Sequence, residues 1–105
     1  MSIIDHYVML HSFFKYDGKF VSVETMEEAM ILATANQIKS EIIGKWLYCY
    51  TTDLIGFQLL AIGFWYSKKH NAYIYSGDQK QPILPDEETL DEIRARLGNQ
   101  QLKIA

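Results

Sequence analysis

A single cysteine, Cys49, occurs in the 105 residues. An internal disulfide is therefore impossible, which excludes the small secreted scaffolds held by such bridges. The opening MSIIDHYVML has no basic segment ahead of an apolar one, so no export signal is read there. The longest nearly apolar run, residues 54–66, is interrupted by Gln58 and falls short of the ~20 residues that cross a bilayer. Positive charge is not in excess, because ten Lys and Arg stand against thirteen Asp and Glu, a formal net charge of −3. Coating a phosphate backbone needs a basic face, so nucleic acid is not an expected partner. Repeats, low-complexity tracts and linkers are lacking, and residues 1–105 read as one domain. A cytoplasmic chain without membrane attachment is expected.

Motifs that carry chemistry are lacking as well. There is no HExxH, CxxC or GxSxG and no Gly-rich phosphate loop. His6 and His11 are five apart, which suits neither a helix face nor a strand face, and His70 stands alone. Cys49 sits in an apolar segment and reads as a small buried hydrophobe. Neither a metal nor a cofactor is expected, no catalytic residue is assigned, and a binding role is favoured over an enzyme. Aromatics beside Lys68, Lys69 and His70 resemble a base-stacking surface only faintly, since GFWYSKK does not follow the order of an RNA-recognition motif.

What is present is apolar and aromatic: 49% hydrophobic residues, with seven Tyr, five Phe and two Trp. Asp17-Gly18 lies between extended segments and predicts a hairpin tip that pairs Tyr16 with Lys19, Phe14 with Val21 and Ser12 with Val23. The competing reading is a helix with Ser2 and Asp5 as its capping box, Ile3, Tyr7, Leu10 and Phe14 at helical spacing, and Gly18 as its end. Thr25-x-x-Glu28 is a capping box, and residues 26–43 contain neither Pro nor Gly. That predicts one helix ending at Gly44, with Ile31, Ala35, Ile38 and Ile42 as its stripe and Lys39 and Glu41 toward water. Strands are predicted at 45–51, 57–67 and 72–77, the last two joined by a turn at 68–71. A helix over 53–66 is the alternative, but Gly56 and Gly63 would each weaken it by about 1 kcal/mol. Asp86 is placed to cap a final helix at 87–97, with Glu92 and Arg96 paired and Gly98 as its stop. The tail from Asn99 reads as frayed or as a short docking segment.

The expected fold is α+β, a mainly antiparallel sheet of about five strands with two helices on one face, in the order ββαβββα. In the hairpin around 68–71, Trp65 faces Ile74 and Tyr66 faces Tyr73. One sheet face then carries Leu59, Ala61, Trp65 and Ile74, and the other carries Phe64, Tyr66, Tyr73 and Tyr75, joined by Trp46, Tyr48 and Tyr50. A single sheet with helices on one side normally shows water a polar second face. This second face is aromatic, and Tyr and Trp are enriched where proteins meet. Phe64, Tyr66, Tyr73 and Tyr75, with Trp46 and Tyr48, are therefore the predicted binding residues. The function this suggests is a small non-catalytic binding or regulatory protein acting through protein contact as a homodimer, of the kind found among bacterial or phage accessory proteins. The alternative is a domain with an aromatic-lined pocket for a small apolar ligand, anchored by His11 or Asp53.

Overall fold

A computed structural model describes residues 15–16, 19–20, 23–79 and 88–103. Strands β1 (Lys15–Tyr16) and β2 (Lys19–Phe20) form a separate two-stranded ladder that pairs Tyr16 with Lys19 and Lys15 with Phe20. This is the register a two-residue Asp-Gly tip imposes. The further pairs at Phe14 and Ser12, and the competing helix at 3–14, lie outside the described residues.

Helix α1 runs Met26–Ala35. Its start is the predicted capping box: Thr25 Oγ1 accepts from the Glu28 N–H at 3.1 Å, and Glu28 accepts from the Thr25 N–H at 3.2 Å. Its end is a correction, because the helix stops eight residues before Ile43. Gln37 turns left-handed at φ +60, its N–H donates to Thr34 O, and the Ile38 N–H donates to Ala33 O. That is a Schellman closure made without glycine, so no residue type announced it. Beyond it Ile38 and Ile42 leave the helical register. The buried face of α1 is Ala29, Leu32 and Ala33, while Ile31 is 59% exposed.

Residues 39–43 instead form β3 (Lys39–Ile43), which returns through Gly44-Lys45 into β4 (Trp46–Tyr50). Gly44 has φ +62, the sign a tight hairpin requires at its first turn position, so it ends a strand and not a helix. Helix α2 (Asp53–Ala61) replaces most of the strand predicted at 57–67, leaving only β5 (Trp65–Ser67). A short apolar run does not distinguish a buried strand from a helix by periodicity. Thr52 decides the start, its side chain accepting from the Ile55 N–H, with Asp53 in the first turn. Gly56 is tolerated for a tertiary reason. A Cβ there would lie 2.0 Å from Tyr73 Cζ, so its absence lets the helix lie directly on that ring.

Strand β6 (Ala72–Tyr75) pairs with β5 in the predicted register, Trp65 with Ile74 and Tyr66 with Tyr73. Helix α3 is Leu90–Leu97, and β7 (Asn99–Gln101) follows directly, so the tail docks. The cap of α3 is Thr89, with Glu92 closing the box, and Asp86 lies outside the described residues. Glu92 thus serves the cap, and Arg96 grips Glu88 through two bonds of 2.7 and 2.8 Å.

The fold is α+β. Five antiparallel strands lie in the order β5-β6-β4-β3-β7, and the described elements run ββαββαββαβ. The two-helices-on-one-face arrangement is corrected, because the sheet is covered on both sides. Leu47, Cys49, Tyr73 and Tyr75 share one face, packed with Ala29, Leu32 and Ala33 of α1 and Leu59 of α2. Ile43, Trp46, Tyr48, Ala72 and Ile74 share the other, packed with Ile93 of α3 and flanked by Leu90 and Leu97. Full burial of residues such as Leu47 and Ile74 stabilises each half by about 2 kcal/mol apiece.

Candidate interaction surface and a buried carboxylate

The six aromatic residues picked from the sequence do not form one surface. Phe64, Tyr73 and Tyr75 lie buried under α1 and α2, with Phe64 and Tyr75 rings 5.3 Å apart. Trp46 and Tyr48 are buried on the opposite face, against α3. Tyr48 and Tyr75 thus sit on different sides of the sheet, because adjacent residues of one strand alternate and Tyr48 pairs with Ile74. Only Tyr66 remains open, at 40%, on the α2 side of edge strand β5, its ring 4.8 Å from that of Tyr73. The polar tips are used internally: Tyr73 Oη donates to Asp53 at 3.0 Å, Tyr66 Oη to Asn71 at 2.8 Å, and Trp46 Nε1 to Gln79 O at 2.9 Å. Most of the aromatic content is therefore core.

What the sequence reading missed lies on α2. Gly56 and Leu59 face the sheet, while Leu54, Phe57 and Leu60 point outward, Phe57 at 64% exposure. Their spacing of three residues sets them along one side of the helix. Tyr66 continues the open apolar surface on the α2 side of β5, whereas Trp65, paired with Ile74 and 5.4 Å from the ring of Trp46, is exposed on the opposite face. A helix apolar all round is ordinarily a buried helix. The signal was present in DLIGFQLLA, where only Asp53 and Gln58 are polar, but it is readable only once the segment is known to be helical.

A second feature is Glu41, a fully buried carboxylate in the middle of β3. The sequence reading set it toward water, and the change from helix to strand turned it inward. Arg94 of α3 donates to both of its oxygens, Nε to Oε1 at 2.9 Å and Nη2 to Oε2 at 2.6 Å. Asn99 and Gln101 of β7 donate to Oε1 at 3.0 Å each, and Tyr50 Oη donates to Oε2. Burial opposes ionisation here, yet the bonds from Arg94, Tyr50 and Asn99 and the arginine charge outweigh it and hold the Glu41 pKa below its ordinary value. The bond to Glu41 raises the Arg94 pKa, while burial and then the same carboxylate raise that of Tyr50. With five donors its oxygens are saturated, so Glu41 fastens α3 and β7 to the sheet and is not poised to transfer a proton.

A cleft of about 470 Å³ opens beside it, lined by Lys39, Glu41, Tyr50, Leu90, Arg94 and Gln101. Tyr50 is the one aromatic residue in that lining, which also carries Lys39, Glu41, Arg94 and Gln101, so the cleft is not the aromatic-lined pocket of the alternative reading. Of the anchors named for that pocket, Asp53 is bonded to Tyr73, and His11 lies outside the described residues. Burial pushes the Cys49 thiol up to about 12, which keeps it un-ionised. Among the described residues no three His, Cys, Asp or Glu side chains group as metal ligands would, and no helix is long and apolar enough to cross a membrane. Compared with known protein families, curated proteins and solved structures, the chain matches none.

Proposed function

We propose that this chain is a small non-catalytic binding or regulatory protein that works through protein contact, as a homodimer, with the outer side of α2 and strand β5 as its contact surface. Of the residues first expected to form that surface, Tyr66 is retained. Leu54, Phe57 and Leu60 take the place of the buried Trp46, Tyr48, Phe64, Tyr73 and Tyr75.

The observation that carries the reading is the open apolar side of α2. The exposed parts of Phe57 and Tyr66 amount to roughly 200 Å² if each ring brings about 200 Å². Leu54 at 57% and Leu60 at 39% raise the patch to roughly 350 Å². A standard interface buries about 800 Å² per partner, of which about 57–65% is apolar, so this patch supplies the larger part of the apolar area such an interface needs. Keeping such a patch in water costs free energy roughly in proportion to its area, and a second copy removes it from water on both chains at once.

Sedimentation over a wide range of protein concentration tests the reading. The native chain is expected to reach dimer mass as concentration rises, and Phe57→Lys is expected to hold it at monomer mass with an unchanged far-ultraviolet spectrum. A native chain that stays monomeric at every concentration overturns the homodimer.

A further inference from the structure

We infer that the two copies join through their β5 edges, pairing antiparallel about a two-fold axis at Tyr66, so that one ten-stranded sheet runs through the dimer and the two α2 helices pack side by side above it. This rests on the homodimer reading and specifies how the surface is used.

Two observations of different kinds lead to the same occupant. The first is the edge itself. Among the described residues β5 bonds to β6 on one side only, and its other side is the end of the sheet. Its residues Trp65, Tyr66 and Ser67 carry no charge and no proline, two of the devices that discourage strand addition, and its three-residue length limits the added ladder to a short one. The opposite edge differs. β7 is Asn99-Gln100-Gln101, and two of its three side chains are committed to Glu41.

The second observation is where α2 sits. It packs on both β5 and β6, with Gly56 over the ring of Tyr73 and that ring against Tyr66. Neighbouring strands are about 4.8 Å apart. A helix above the β5–β6 seam thus lies about one strand spacing from a two-fold axis outside β5, and its symmetry mate lies about 10 Å away. Packed helices stand about 8–10 Å apart. Pairing the bare edges therefore brings the two bare helix sides to contact distance with no further adjustment. Phe57 and Leu60, nearer the flank of α2 than Leu54, approach their counterparts, and Tyr66 meets Tyr66 across the axis. A contact of this kind is isologous and closes at two copies, as a soluble dimer requires.

The test is a cross-link with an exchange measurement on the unaltered chain. Tyr66→Cys is expected to form a disulfide-linked dimer under mild oxidation, and Gln100→Cys, on the other edge, is not; Cys49 stays in place because it is fully buried. In the native chain, amides at 65–67 are expected to be protected from hydrogen exchange at high concentration and to lose that protection on dilution, while β7 does not change. A dimer by sedimentation that cross-links through Phe57→Cys but not Tyr66→Cys, with exchange at 65–67 indifferent to dilution, overturns the edge pairing and leaves the homodimer standing. A native monomer at every concentration removes both.

Discussion

The two faces of the sheet are covered by different means. On one, α1 and α2 lie close because small residues meet it: Ala29 and Ala33 from α1 and Gly56 from α2. That seal is mostly apolar, with the Tyr73–Asp53 bond at its margin and Ser40, whose buried hydroxyl has no partner among the described residues. On the other, α3 brings few apolar side chains, chiefly Ile93 with Leu90 and Leu97, and the Glu41 network supplies the rest of the attachment. Apolar burial has no direction and tolerates sliding, whereas a saturated carboxylate fixes position. The short helix α3 and the three-residue β7 are thus held in register by the groups that Arg94, Asn99 and Gln101 point at one side chain.

The largest break in this contrast is expected from Glu41→Gln. It leaves the Arg94 charge without its buried partner and should cost about 3 kcal/mol of stability, read by denaturant unfolding. Amide exchange should rise first in residues 90–101 and least in α1; a uniform rise would deny that the network holds only one face. Gly56→Ala is the matching break on the other side. The added methyl must displace the Tyr73 ring, itself held by Asp53 and Tyr66, and a loss of about 2 kcal/mol is expected even though alanine favours helix. An unchanged or raised melting temperature would show that the close approach is not needed. Ser40→Ala should act in the opposite direction and stabilise by about 1 kcal/mol, because it removes a buried hydroxyl that has no bond among the described residues.

The smallest effect is the pH dependence. The folded pKa of Glu41 is depressed, so its contribution is complete above the unfolded value near about 4.3 and is lost as pH falls through the folded value. Melting temperature should therefore decline on acidification below about pH 4. Glu41→Gln should flatten that decline, and parallel profiles for the two proteins would place the acid-sensitive group elsewhere.

Local chemistry was legible wherever the deciding partner is near in sequence. The capping box at Thr25 and Glu28, the Tyr16–Lys19 pair around Asp17-Gly18 and the Trp65–Ile74 register around a four-residue turn are all settled within a few residues. The segments misread were those where two local structures are nearly equal. Residues 38–43 carry apolar side chains that fit a helix or a strand, and the choice falls to the ladder with β4 and to the Arg94 that Glu41 must meet, 53 residues further on. Residues 53–61 fit either as well, until Tyr73 makes Gly56 an asset. The burial of Tyr48, Tyr73 and Tyr75 was illegible for the same reason, since an aromatic strand reads alike whether a helix or water lies above it.

Composition and spacing alone determined that this is an α+β chain with a predominantly antiparallel sheet, because turn and cap signals act over short range. The tertiary structure decided which apolar segments became helix, which aromatics went inside, and that Glu41 is an anchor and α2 the open side. Those outcomes depend on groups brought together from distant parts of the chain, and their energies arise only once both partners have left water.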